Sequence, residues 1–133
     1  MIACIGWGSL VWDPLPLQCK GGWQPDGPIL PLEFARTSLD GRLTLVLTAG
    51  AVPISSLWTE LDYASAGEAK EALMLRENSK FPAVVGTWPG PPPRHAVGAD
   101  AIAAWAAKRG MDAVLWTALG PKFGGQNLSL IHI

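Results

Sequence analysis

Ile2-Ala3-Cys4-Ile5-Gly6-Trp7-Gly8-Ser9-Leu10-Val11-Trp12-Asp13 opens the chain almost at its first residue. An apolar run that breaks directly into Gly-aromatic-Gly-Ser reads as a buried strand delivered into a glycine loop. Such a loop turns several peptide N–H groups toward one point, which suits a carboxylate or a developing oxyanion. The plainer reading is a turn that only redirects the chain, and spacing alone leaves both open.

The patterning that follows places this strand in a small α+β domain. Residues 29–38 and 43–48 alternate as strands around Asp40-Gly41, a hairpin signal. Pro31 favours the start or edge of its strand. Further strands are predicted over 55–62, 83–88 and 113–117, which with the first makes about six. Ser65-Ala66-Gly67-Glu68 is a capping box that starts a helix running to about Asn78. A second helix is predicted over 100–109, with Gly110 as its stop. The expected architecture is a closed, mostly antiparallel β-barrel with two flanking helices.

Composition narrows the function classes. With 133 residues, 49% of them hydrophobic, and a net charge of −1, the chain predicts one globular domain. That balance carries no footprint for nucleic acid or an anionic membrane. Cys4 and Cys19 lack metal-type spacing and read as free thiols. The start lacks the basic region and cleavage site of a signal peptide, and no apolar run approaches the roughly 18 residues of a membrane span. A cytoplasmic location is therefore expected. The tail, residues 128–133, matches the in-frame translation of a transposase end sequence used in DNA library preparation. The expected domain is thus 1–127, truncated at its C-terminus, with 128–133 as adapter read-through. His132 then has no role, and His95 is the only natural histidine.

Few polar groups are placed for chemistry. Ala66, Ala69, Leu73 and Glu77 share one helical stripe, so Glu77 ends a core-facing surface. Partial burial near the negative end of the helix dipole would raise its pKa and suit it to general acid–base work. The alternative is an exposed last-turn glutamate paired with Lys80. Glu33 and Arg36 sit on the hairpin, where surface roles are expected unless Arg36 faces inward to hold a carboxylate. His95 follows the Pro89-to-Pro93 loop with no partner spaced for metal or nucleophilic chemistry. Dinucleotide, phosphate-loop, metal and Gly-x-Ser-x-Gly motifs are missing, and Ser9 has no evident histidine partner.

An N-terminal strand ending in aromatic-Gly-Ser-Leu, a following Trp-Asp, a hairpin, and a helix ending in Leu-x-x-Arg-Glu resemble the gamma-glutamylcyclotransferase-like superfamily. The resemblance runs from Met1 to about Thr117. It implies a small closed barrel and an enzyme that cyclises a γ-glutamyl group to 5-oxoproline, releasing an amine without metal or cofactor. It also implies Glu77 as the catalytic acid/base and Trp7, Gly8, Ser9 and Leu10 as the substrate-binding loop. The family's tyrosine is Trp7 here, which loses a phenolic hydroxyl and keeps an aromatic wall. A non-catalytic carboxylate-binding module and a hydrolase or other acyl-transfer variant are the alternatives on the same scaffold. The expected partner is a small γ-glutamyl compound, with no nucleic acid and no membrane.

Overall fold

The computed structural model describes residues 1–37, 41–123 and 126–127. The turn residues 38–40 and the tail at 128–133, on which two of the readings above fall, lie outside the described residues. Among the described residues the fold is α+β, built from two open sheets and three helices.

The first sheet has the order β5-β1-β7-β6. Its centre is β1 (Ile2–Gly6), which pairs antiparallel with β5 (Leu57–Glu60) and parallel with β7 (Ala113–Thr117). The outer strand β6 (Val85–Trp88) pairs antiparallel with β7. The second sheet is organised on the long strand β2 (Ile29–Thr37). Its return arm comes in two pieces, β3 (Leu43–Leu47) and β4 (Pro53–Ser55). The short strand β8 (Lys122–Phe123) joins β2 in parallel and pairs with β9 (Gln126–Asn127).

Among the described residues the expected closed barrel does not form. The chain crosses between sheets at Ser56, whose amide and hydroxyl both donate to the Pro28 carbonyl, at 3.1 and 2.6 Å. That corner brings the sheets together without a ladder running from one into the other, so among the described residues each keeps its own edges. Alternating local patterns identify strands, but closure depends on register between distant ones.

Both faces of β1 are buried, which explains its uninterrupted apolar run. Ala3 and Ile5 pack with Leu30, Leu47 and Ile102, between the second sheet and α3 (Ala99–Arg109). Cys4 packs on the other side with Leu61, Ala69 and Leu73, beneath α2 (Ala66–Arg76). The Ser65 half of the capping box and the Gly110 stop are present. Ser65 Oγ accepts from the Glu68 amide at 3.2 Å, and Gly110 closes α3 at φ 66°. A third helix, α1 (Ser9–Trp12), is a single turn hidden in the opening motif. Among the described residues, no helix is long and apolar enough to cross a membrane.

A polar and aromatic link ties the loop before β2 to the end of α3. The Asp26 carboxylate accepts from Arg109 at 2.6 Å and from Trp58 Nε1 at 2.7 Å, while its carbonyl accepts from Trp105 Nε1 at 3.0 Å. Arg109 also lies over both indoles, 5.7 and 5.0 Å from their ring centres. Hydrogen bonding to Arg109 and Trp58 holds the Asp26 carboxyl below its ordinary 3.8. The stability this link contributes is therefore complete above that value and is lost as the pH falls below it. Asp26→Asn is expected to flatten the acid limb of a stability-versus-pH curve and leave its neutral part less changed in slope. In urea denaturation, Ile102→Ala should cost about 2–5 kcal/mol, while Val52→Ala at an exposed position should stay within about 0.5 kcal/mol.

Candidate functional site

The opening motif leaves β1 over the end of the first sheet. At Gly6 the Trp23 ring lies across the backbone so closely that a Cβ would fall 2.3 Å from it. Gly8 then adopts φ 63° and ψ −141°, a conformation that side chains resist. It starts α1, where Val11 and Asp13 donate to the carbonyls of Gly8 and Ser9. The amides of Ser9 and Leu10, first in the turn, have no intrahelical acceptor. Leu10 is buried among Leu61, Leu73 and their neighbours, so its side chain anchors the loop. Trp7 donates through Nε1 to the Leu45 carbonyl at 3.0 Å. Its polar group is thus committed to β3, and what remains for a ligand is the ring.

Glu77 caps α2, its amide bonded to the Leu73 carbonyl at 3.0 Å. The helical stripe reads as expected, with Ala69 and Leu73 fully buried and Glu77 following at its end. The carboxylate is only 15% exposed, and its ion-pair partner is Arg76, 2.7 Å from Oε2, rather than Lys80. The Arg76 guanidinium does more than pair with Glu77. Its Nη2 donates to Ser9 Oγ at 3.2 Å and its Nε to the Asp13 carbonyl at 3.1 Å. One side chain therefore joins the glycine loop to the acidic end of α2, 67 residues away.

Two shifted groups place Glu77 further. Burial pushes the Cys4 thiol up, with Cys19 and then Glu77 adding to the effect and Arg76 opposing it. Burial pulls the Arg36 guanidinium down, and the Glu77 charge opposes that. Arg36 is half-buried and donates to the Gly120 carbonyl at 3.0 Å, so it is not a simple surface residue. Glu33, by contrast, is exposed. The β2–β3 hairpin reaches the Gly8 loop through the Trp7–Leu45 bond and α2 reaches it through Arg76, and the Glu77 charge acts on Arg36 as well.

His95 is not a free loop residue. It is half-buried, and its Nε2–H donates to the Leu47 carbonyl at 2.7 Å, tying the proline-rich loop to β3. Among the described residues, no group of three or more His, Cys, Asp or Glu side chains is arranged to hold a metal ion. A cavity of about 330 Å³ lies elsewhere, against Ala66, Lys70, Thr87, Trp88 and Asp112. These residues stand at the start of α2, the end of β6 and just before β7, the opposite end of the sheet from Gly8 and Glu77. Asp112 there is bound to the terminal amine of Met1. The geometry that converges on reactive groups is at the Gly8 end.

Arg76 was the residue missed from sequence. Its only local signal is the Arg-Glu pair closing a helix, and nothing in that spacing foretells a bond back to Ser9. Comparison with protein-family models, with curated proteins and with solved structures returns no significant match.

The loop and the tether make separate predictions. Gly8→Ala has space, since its Cβ would lie 3.8 Å from Leu45 Cβ, yet it is strained by dihedral and should cost about 1–3 kcal/mol. Arg76→Met strips three polar partners at once and should cost about 1–3 kcal/mol, read from the urea midpoint. A neutral result for Arg76→Met contradicts the tether.

Proposed function

We propose that the chain is a gamma-glutamylcyclotransferase-like enzyme that converts a γ-glutamyl amide to 5-oxoproline and a free amine. The observation that carries this reading is the Arg76 bridge, which sets Glu77 beside the Gly8 loop. A carboxylate and amides at the head of a helical turn, without acceptors in that turn, are two components that intramolecular acyl transfer can use.

In the reaction, the substrate's α-amino nitrogen attacks its own γ-carbonyl carbon. A five-membered lactam bond forms as the bond to the leaving nitrogen breaks. One proton moves from the attacking nitrogen to the departing one, so no water is consumed and atoms balance. Nucleophile and electrophile share one molecule, and the enzyme's task is to hold the bent conformer in which they meet. Glu77 takes the proton and returns it to the leaving group. Arg76 holds Oε2 of that carboxylate, leaving Oε1 to exchange the proton. The Ser9 and Leu10 amides face the charge that develops on the carbonyl oxygen, where one such donor is worth about 10²–10³ in rate. Arg36 offers positive charge to the substrate α-carboxylate from the hairpin side.

The test is incubation with γ-glutamyl amino acids and amines, following 5-oxoproline and free glutamate by chromatography. 5-Oxoproline is the expected product, whereas glutamate alone identifies a hydrolase. Glu77→Gln should lower kcat by about 10²–10⁴ while retaining ligand binding. Full activity in that variant removes Glu77 from the mechanism.

A further inference from the structure

The apolar core face of the β2–β3 hairpin does not end where its cover ends. Along β2 the inward residues Leu30 and Leu32 are buried, but Phe34, the last before the register shift between Phe34 and Arg36, is 63% exposed while Ala35 beside it is buried. Along β3 the sequence is the same in reverse, from buried Leu47 through half-buried Leu45 to Leu43, 54% exposed. Phe34 and Leu45 are direct cross-strand partners, so their side chains stand on one face. This face emerges from the core beside the candidate site. Leu45 Cβ lies 3.8 Å from where a Gly8 Cβ would be, and the Leu45 carbonyl holds the Trp7 indole. A row of apolar side chains thus runs from the glycine loop outward, bounded at its inner end by the Trp7 ring.

Resting on the cyclotransferase reading, we propose that this wall binds the leaving amine, and that the enzyme selects γ-glutamyl amides of aromatic or branched apolar amines. The charges of the site divide the substrate in two. Glu77, Arg76, Arg36 and the loop amides suit the amine, carboxylate and carbonyl of the glutamyl half. Only the amine half is left to extend past Gly8, and the surface it meets there is Leu45 and then Phe34. Glycine at position 8 leaves the Leu45 end of the wall without a neighbouring side chain, since a Cβ there would lie 3.8 Å from Leu45 Cβ. An apolar group laid on Phe34 and Leu45 leaves water on transfer, whereas a small or charged one gains nothing from the wall.

The experiment compares γ-glutamyl-2-phenylethylamide with γ-glutamyl-methylamide, which differ only in the apolar group. The wild-type protein should show kcat/KM about tenfold or more in favour of the phenylethylamide, expressed chiefly in KM. Phe34→Ala removes an exposed side chain and should narrow that ratio to within about threefold. A wild-type ratio near one, or a ratio that Phe34→Ala leaves unchanged, overturns the wall. Calorimetric titration of both amides separates the two levels of the argument. If neither amide yields 5-oxoproline but the phenylethylamide still binds about tenfold more tightly in a Phe34-dependent way, the wall stands and the reaction falls. Equal affinities with normal turnover give the converse.

Discussion

A single guanidinium holds the candidate site together. Arg76 reaches from the last turn of α2 to Glu77, to the Ser9 hydroxyl and to the Asp13 carbonyl, a set of bonds that no neutral side chain could reproduce. Without it, Glu77 would be a poorly solvated carboxylate at a helix end, where both burial and the dipole disfavour its charge. With it, the charge is compensated and the loop has a fixed distance to the helix. The loop in turn is possible only because Gly8 accepts its dihedrals and Leu10 is sunk in the core.

The two-sheet arrangement gives this tether its setting. Because β1 is packed on both faces, its C-terminal end emerges between α2 on one side and the β2–β3 hairpin on the other. A loop leaving that end is reached by a side chain from either layer, Arg76 from the helix and Leu45 from the sheet. The same layering explains why the apolar face of the hairpin opens just beside Gly8. The core it belongs to stops there, and the strands continue.

What could be read in the sequence were features set by near neighbours. The β2–β3 pairing, the Ser65 cap, the Gly110 stop and β7 all follow from turn chemistry and periodicity within a few residues. The elements that escaped it depend on distant partners. β4 is a return arm resumed after an interruption, and the parallel pairing of β1 with β7 joins residues more than a hundred positions apart. The barrel expectation failed for the same reason, since closure is a relation between sheets. In the site, Glu77 was visible through its helical stripe and the Gly8 loop through its glycines. Arg76 and Phe34 were not, because the first acts across 67 residues and the second matters only where the core loses its cover.

The claim that the loop and the helix end form one ligand site is tested most directly by amide chemical shifts. Isotope-labelled protein would be titrated with a γ-glutamyl compound whose α-amine is methylated twice, so that it binds without cyclising. Shifts concentrated at Gly8, Ser9, Leu10 and Glu77, saturating together, are the predicted result. Shifts confined to Gly67, Lys70, Thr87 and Asp112, around the cavity at the other end of the sheet, would contradict it.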